Sequence, residues 1–285
     1  MRCRFLVVLT MAAAAALFSA GVAWAAADAG QVLTFNGNCF VETGGQRTQL
    51  KMGATIHVGD VIDVPDGAKL KLRMVDGSVL ALGSGTHMTI KAYSASGGKR
   101  DAQVQISTGI IRSVVAKMTQ PSSFEVDSAT GVAAARSTDY FVEATPDKTT
   151  VAVLDGSVKF AARTPSGATE AGGVLIPPRS GSEIDSGPPP AAAPGAKPAA
   201  APRRLEPTPA VAYTQAQFDD LINRTSVAFG FCQCIADTTH IAASCETSVD
   251  ACKTKCGGKL YAYVPNARQS CKADYADVVV EGHAN

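Results

Sequence analysis

Short runs of alternating or continuous apolar residues dominate the chain between residues 31 and 184. Residues 68–74 alternate apolar and basic side chains, which places one side of a strand on a core and the other in water. Asp76-Gly77 follows, and an apolar run resumes at residues 79–82. Because Asp-Gly favours the tight turn that joins two strands, this pattern predicts a β-hairpin.

The same arrangement recurs later in the chain. An apolar run at residues 151–154 is followed by Asp155-Gly156 and a second run at 157–160, which predicts another hairpin. Between the two, short apolar runs alternate with turn residues and show no helical period. These runs are 32–35, 56–58, 104–106, 110–115, 124–126 and 140–144. The chain is therefore predicted to be mainly β, with an all-β domain at 26–185 that resembles a solenoid or a sandwich of short strands and hairpins.

The composition changes to Pro and Ala at residues 186–209. Proline lacks a backbone donor, so this stretch predicts a semi-rigid linker, with a loop folded over the surface as the alternative. Residues 210–285 are predicted to form a small helical module. Its first helix would be capped by Thr214 and would bury apolar residues at three- and four-residue steps. These residues are Phe218, Leu221 and Ile222.

The cysteines are concentrated in this C-terminal module. Six of the eight lie there: Cys232, Cys234, Cys245, Cys252, Cys256 and Cys271. Their spacing places Cys245, Cys252 and Cys256 on one side of a predicted helix, which Gly257-Gly258 would end. In an exported chain such a cluster predicts disulfides, although bonding between Cys252 and Cys256 would disturb the helix. Six cysteines allow 15 pairings, and the sequence does not choose among them.

A zinc site is the alternative for these cysteines, with His240 nearby, but their spacing fits no common zinc motif. Cys39 stands apart from them. Beside Phe40 on a predicted strand, it is expected to be a small buried apolar residue. A free thiol or an intermolecular disulfide is the alternative for Cys39.

The N-terminus has the layout of a secretory signal. Arg2 and Arg4 precede an apolar run at residues 5–24, which ends in the small-residue pattern Ala23-Trp24-Ala25. We expect cleavage near Ala25, so that residues 1–25 are removed and the mature protein is periplasmic or secreted and not integral to a membrane. The alternative is an uncleaved helix that anchors the chain. A net charge of +1 with 6% aromatic residues argues against nucleic-acid binding.

No set of residues predicts catalysis, a metal site or a cofactor. The four histidines are scattered, and Gly83-Ser84-Gly85 is expected to be a turn between strands. The chain is therefore expected not to be an enzyme. A basic stripe on one strand has two interpretations, a solvated sheet surface or a contact with an acidic partner or glycan. The stripe consists of Lys69, Lys71 and Arg73.

Several motifs in the β-region resemble the FecR domain family in their order along the chain. They are residues 53–64 with Val58-Gly59-Asp60-Val61-Ile62, the stretch 70–80 around Asp76-Gly77-Ser78, Ile90-Lys91-Ala92-Tyr93, Thr108-Gly109-Ile110-Ile111-Arg112, Phe124-Glu125-Val126, residues 131–142 and residues 151–158. The usual Arg-Gly-Thr of the family stands here as Arg136-Ser137-Thr138. If the family's glycine has a positive φ, Ser137 would be strained or the turn would differ.

The resemblance implies an all-β fold and a role in interaction rather than catalysis. Arg136 and Asp139 become interaction candidates because they lie in the family's most distinctive segment, although an ion pair or a turn would also explain them. The well-known members are membrane regulators with a cytoplasmic sigma-factor segment, whereas only residues 1–4 precede the apolar run here. We therefore expect an exported scaffold that binds a protein or envelope component. The alternatives are a membrane-anchored signalling regulator and an envelope carbohydrate binder or hydrolase.

Overall fold

The computed structural model describes residues 26–164, 169, 172–187, 205–227, 230–235, 241–246, 249–257 and 261–264. The predicted signal segment 1–25 and Cys271 lie outside these residues. In the first half of the chain, the strands are β1 (Asp28–Asn36), β2 (Phe40–Thr43), β3 (Gln46–Gln49), β4 (Thr55–His57), β5 (Val61–Val64), β6 (Lys69–Met74), β7 (Val79–Leu82), β8 (Thr86–Ser96) and β9 (Lys99–Val114).

The remaining elements follow in chain order. They are β10 (Ser123–Asp127), β11 (Gly131–Ala135), β12 (Asp139–Ala144), β13 (Lys148–Asp155), β14 (Val158–Ala162), β15 (Val174–Ile176), β16 (Ser180–Asp185), β17 (Val211–Ala212), α1 (Gln215–Thr225), β18 (Gly230–Ile235), β19 (Ile241–Glu246), α2 (Val249–Lys255) and β20 (Tyr261–Val264). The prediction of a mainly β fold is confirmed. Among the described residues, neither helix is long and apolar enough to cross a bilayer.

Strands β1–β17 form two layers that share the long strand β9. The first layer, sheet A, has the order β4-β1-β6-β7-β9-β12-β13-β16-β17. The second layer, sheet B, has the order β3-β2-β5-β8-β9-β10-β11-β14-β15. From β10 onward the chain places two strands in one layer and then two in the other. This winding is both sandwich-like and solenoid-like, as the sequence predicted.

Side chains from both layers meet in one hydrophobic core. Alternate residues of each strand enter it, among them Leu70 and Leu72 of β6, Val104 of β9 and Phe124 of β10, all fully buried. Cys39 also lies in this core, where its thiol is 3.7 Å from the carbonyl oxygen of Lys69. Cys39 is 0% exposed among apolar side chains, which confirms the interpretation of this residue as a small buried apolar one.

Strand β9 changes layer at Gly109. Thr108 pairs with His87 in sheet B, whereas Gly109 pairs with Ala144 in sheet A. Gly109 has φ +98°, and a Cβ atom there would lie 2.4 Å from the Cα of Thr86. Only glycine combines this backbone conformation with so close an approach. The glycine therefore allows one strand to belong to both layers.

The two predicted hairpins have different outcomes. β6 pairs with β7 across Asp76-Gly77, so the first prediction is confirmed. The second is wrong, because β13 pairs with β12 and β16 in sheet A while β14 pairs with β11 and β15 in sheet B. Asp155-Gly156 thus turns the chain from one layer to the other. A Cβ at Gly156 would lie 2.8 Å from the carbonyl oxygen of Ser137, so the corner packs tightly against the β11–β12 connection.

Residues on both sides of the predicted boundary at 210 contact the β-domain, from Leu205 to Phe218. The segment before β17 bonds to β16, with the Thr208 amide donating to the carbonyl of Glu183 at 2.9 Å. Helix α1 has the expected Thr214 cap, which forms a capping box with Gln217. Its buried residue Phe218 packs on Phe141 of sheet A. An apolar helix face must be covered, and the outer surface of sheet A covers this one.

Around the cysteines, β18 lies between β19 and β20 in a three-stranded sheet, and α2 contacts these strands. A helix does carry Cys252, and Gly257 follows its end with φ +60°, as predicted. The prediction that Cys245 shares that helix is wrong, because Cys245 lies in β19 opposite Phe231. The seven residues from Cys245 to Cys252 include the connection from β19 to α2, so the two cysteines do not share one helix.

Candidate interaction surface

Strand β6 directs its basic residues away from the core, onto the outer surface of sheet A. Lys69, Lys71 and Arg73 alternate with the buried Leu70 and Leu72, as the apolar–basic pattern predicted. Their neighbours in register come from β7. Lys71 pairs with Ala81, and Arg73 pairs with Val79.

Two rows of paired residues cross this surface. In the first, Lys71 is followed by Ala81, Arg112 and Phe141 on successive strands. In the second, Arg73 is followed by Val79, Val114 and Asp139. Side chains opposite each other in neighbouring strands lie close together, so both rows mix cations with apolar groups. We refer to Lys69, Lys71, Arg73 and Arg112 together as the basic face.

Arg112 connects the two rows. Its Nε and Nη2 donate to the two carboxylate oxygens of Asp139 at 2.9 and 2.7 Å. Its guanidinium carbon lies 5.3 Å from the centre of the Phe141 ring, within cation–π range. The bidentate geometry fixes the guanidinium plane. The candidate Asp139 is thus explained by an ion pair that orients Arg112.

Helix α1 covers the part of sheet A beside the basic face. Phe218 lies 6.4 Å from Phe141 and 5.6 Å from Tyr213, ring centre to ring centre. At the C-terminal end of the helix, Lys69 donates from Nζ to the carbonyl oxygen of Asn223 at 2.5 Å. Cations interact favourably with the carbonyl groups at a helix C-terminus. Lys69 therefore marks the border between α1 and the basic face.

The interpretation of the basic stripe as a solvated surface is wrong for Lys71. This side chain is 0% exposed, as are Val79 and Ala81 beside it. Lys69 and Arg73 are half-buried. A fully buried lysine is costly in free energy unless opposite charge compensates it. Lys71 at the centre of the basic face is therefore buried rather than solvated.

Arg112 was not among the sequence candidates. The Gly109-Ile110-Ile111-Arg112 motif contains this residue. Gly109 marks the point where β9 changes layer, and this point fixes which of the following side chains face outward. Arg136 does not join the basic face. It is exposed in the connection between β11 and β12, and its carbonyl oxygen accepts a hydrogen bond from Arg100 at 2.8 Å.

Two disulfides connect β18 to α2 and to the residue that follows it, Cys232–Cys252 and Cys234–Cys256. The two strand cysteines are two residues apart, so they project from one side of β18. Cys256 follows Cys252 by four residues and its amide donates to the Cys252 carbonyl, so the two lie one turn apart. The predicted disulfides are confirmed for these four residues. The sulfur atoms of Cys232, Cys234 and Cys256 lie within 4.8 Å of one another because the two bonds are adjacent. As disulfide sulfurs, they do not present the thiolates that zinc requires.

Three carboxylates project from sheet B near one another. Burial raises the pKa of Glu125, and its neighbours Asp127 and Asp101 raise it further. Burial also raises the pKa of Asp127, while Arg163 and Gln103 lower it by binding the carboxylate. Asp101 of β9 pairs with Ser123, the first residue of β10, two positions before Glu125. Because Asp127 pairs with Arg163, we interpret the three carboxylates as a structural ion pair with two acidic neighbours.

Comparisons with known proteins bear on the β-domain. Residues 60–159 match the family model described as FecR protein. The matched segment contains β6, β7, the layer-changing strand β9 and the β11–β12 connection. This segment is similar to FecR domains. No curated protein matches the chain.

Two crystal structures, at 1.65 and 2.50 Å resolution, share a likeness with the chain. Both are of a protein from Parabacteroides distasonis ATCC 8503 that is described as a "putative anti-sigma factor". Each matches at 16% identity and a TM-score of 0.36, over 44% of this chain and 54% of that one. The chain thus covers just over half of that protein.

The Asp76-Gly77-Ser78 motif at the β6–β7 turn has a structural role here. The Asp76 carboxylate accepts hydrogen bonds from Ser78 Oγ at 2.6 Å, from Tyr93 at 2.8 Å and from Arg100 at 2.6 Å. Burial, followed by Asp76, raises the pKa of Tyr93 well above its usual range. The hairpin turn is therefore held by a buried polar network.

The departure from the family pattern at Ser137 causes no strain. Among the described residues, Arg179 is the non-glycine residue with a positive φ. Ser137 thus adopts a conformation open to any residue. The strain anticipated for a serine at this position is absent from this FecR domain.

Proposed function

We propose that this chain is an exported, non-enzymatic FecR-domain protein that binds a protein or envelope component through its basic face. More broadly, the similarity to FecR domains supports a role in signalling or regulation. The observation that carries the proposal is the alternation in β6 that places the half-buried Lys69 and Arg73 on the outer surface of sheet A.

A surface of this kind fits an acidic segment with apolar residues. Cations among apolar side chains attract carboxylates at long range. The hydrogen bonds between cation and carboxylate are stronger once water is excluded from the contact. We infer that the partner presents an extended acidic stretch of protein.

Export is proposed from the N-terminal pattern of residues 1–25 together with the disulfides. The bonds Cys232–Cys252 and Cys234–Cys256 are typical of proteins in oxidising compartments. N-terminal sequencing of the protein recovered from the envelope or medium tests this proposal. A mature chain that starts at Ala26 supports cleavage, whereas a start at Met1 supports an anchor and contradicts the proposal.

The binding proposal is tested by chemical crosslinking in the native envelope, followed by partner identification. The wild type is compared with Lys69→Glu/Arg73→Glu, which reverses charge at the half-buried margin of the basic face. The matched control is Lys91→Glu/Lys159→Glu, at exposed positions of β8 and β14. We expect one partner to be lost with the first variant and kept with the control. Equal recovery with both variants would contradict the assignment to the basic face.

A further inference from the structure

The two disulfides of the C-terminal module differ in their exposure. Cys232 and Cys252 are both 0% exposed, so the bond between them is shielded from reagents in solution. In the other bond, Cys256 is 5% exposed and Cys234 is half-buried. Thiol–disulfide exchange begins when a thiolate reaches one sulfur of the bond. An external thiol is therefore expected to attack this pair of disulfides at Cys234.

The two disulfides also lie in contact with each other. Cys232 Sγ is 3.8 Å from Cys256 Sγ, although these two atoms belong to different bonds. This separation is close to the contact distance of non-bonded heavy atoms. The Cys256 amide donates to the Cys252 carbonyl at 3.0 Å, which fixes Cys256 one turn beyond the helical partner of Cys232. A thiolate formed at Cys256 would thus lie directly beside the buried bond.

This arrangement allows exchange to pass from the accessible disulfide to the buried one. Attack of an external thiolate on Cys234 Sγ forms a mixed disulfide there and releases Cys256 as a thiolate. The Cys256 thiolate then attacks Cys232 Sγ. A Cys232–Cys256 bond forms, the Cys232–Cys252 bond breaks, and its electron pair leaves on Cys252 Sγ.

The surroundings of the two leaving sulfurs favour this direction. Lys253 and Lys255 lie in the last turn of α2, directly before Cys256, and positive charge nearby favours a thiolate. Burial disfavours a charged sulfur at Cys252, so this leaving group takes up a proton. The carbonyl oxygen of Ala262 is 3.7 Å from Cys252 Sγ, where it can accept the new S–H group. Because a protonated thiol is a poor nucleophile, the reverse attack is slow.

We propose that these two disulfides form a relay that accepts two electrons from a dithiol. In the last step, the second thiol of the donor attacks the mixed disulfide, completes the donor's own disulfide and frees Cys234. One dithiol is oxidised and one of the two bonds is reduced, and the two protons of the donor end on Cys234 and Cys252. The remaining bond has moved to Cys232–Cys256, so β18 stays joined to the chain at the end of α2 throughout. The relay does not depend on the basic face.

The test treats the purified, oxidised full-length chain with a limiting amount of dithiothreitol. Acid quenching, alkylation of free thiols and mass spectrometry with fragmentation then assign every label and link. Among molecules in which this pair has lost one bond, we expect more than half to contain Cys232–Cys256, with the label on Cys234 and Cys252. One hydrogen bond from the Cys252 thiol favours this form by about twofold or more. A majority with Cys232–Cys252 intact and the label on Cys234 and Cys256 would overturn the proposal.

Two serine variants test the attack by Cys256 without any reductant. Cys234→Ser leaves Cys256 as a free thiol, so the Cys232–Cys256 link should form by itself and Cys252 should be alkylated. Cys256→Ser is the matched control, because it frees Cys234 instead. Cys232 and Cys234 are two residues apart in one strand, which separates their Cα atoms by about 6.8 Å, the upper limit for a disulfide. The control should therefore keep Cys232–Cys252. Retention of this bond in both variants, or its loss in both, would contradict the relay.

Discussion

The guanidinium of Arg100 and the carboxylate of Asp76 form an ion pair of 2.6 Å inside the FecR domain, with both side chains 0% exposed. The same guanidinium donates to the carbonyl oxygens of Ala116, Ser123 and Arg136. Arg100 thus joins three parts of the chain. These are the β6–β7 turn at Asp76, the β9–β10 connection with the start of β10, and the β11–β12 connection at Arg136. It links both layers of the sandwich at one end.

Replacing Arg100 by Met should strongly destabilise the domain. The change leaves the Asp76 carboxylate buried without its cation, and breaking a buried ion pair in this way costs about 3–5 kcal/mol. Denaturant unfolding measures the loss. The matched control is Arg47→Met, since Arg47 forms a 2.5 Å pair with Asp63 but is 54% exposed, so a loss under about 1 kcal/mol is expected. Similar losses in both variants would contradict a structural role for the Asp76 network.

The sequence predicted the β6–β7 hairpin because its two runs face one core across a two-residue turn. The same reasoning failed at Asp155-Gly156, where the residues resemble a hairpin but the strands enter different layers. Local turn chemistry selects the backbone conformation of a turn, not the layer that the next strand joins. That choice depends on packing against distant residues, such as Ser137 beside Gly156.

The basic stripe of β6 was predictable because alternation shows which side chains share a surface. Its neighbours were not, because Arg112 reaches the same row only through the pairing of β7 with β9. The burial of Lys71 also depends on tertiary structure, since a lysine in an alternating strand is usually solvated. The contact of α1 with sheet A is not predictable from the sequence, because a Pro/Ala stretch does not show which surface the following helix covers.

Substituting Ala for Gly109 should disrupt the point at which β9 changes layer. Gly59 provides a matched control, because its φ of +94° is close to the +98° of Gly109. An added Cβ atom would meet Thr86 at Gly109, whereas at Gly59 it would meet no described residue. Both changes carry the cost of a positive φ, about 1–2 kcal/mol. Gly109→Ala should lose at least about 1 kcal/mol more, the lower range for overpacking. Equal unfolding free energies would show that the corner relaxes without cost.

The pairing of the C-terminal cysteines is tested by peptide mapping under non-reducing conditions. We expect linked peptides for Cys232–Cys252 and Cys234–Cys256, since these pairs are bonded in the structure. Removing the first bond with Cys232→Ser/Cys252→Ser should cost about 3 kcal/mol, from the loop of about 20 residues that it closes. A peptide that joins Cys252 to Cys256 would contradict the strand-to-helix arrangement.

Phe218→Ala should release helix α1 from sheet A. Phe218 is 0% exposed and contacts Phe141 and Tyr213, and truncation of a buried phenylalanine typically costs about 3–5 kcal/mol. Hydrogen exchange across residues 215–225 should accelerate, because short helices are marginal without tertiary packing. Asp219→Ala, at an exposed position of the same helix, should leave the exchange near the wild-type rate. Unchanged exchange in Phe218→Ala would mean that the contact does not hold the helix.

Cys39 should make stability depend on pH in the alkaline range. Burial, with a smaller contribution from Asp63, raises the pKa of the Cys39 thiol from 9.0 to about 12. The folded state therefore keeps its proton at a pH where the unfolded state has released it, so stability falls as pH rises from about 9 to about 12. Between about pH 8 and about pH 10 this loss amounts to about 1.4 kcal/mol. Cys39→Ala lacks the titration, so its unfolding free energy should fall by that much less over the same range. Parallel pH profiles for the two proteins would show that the thiol ionises in the folded state as readily as in the unfolded chain.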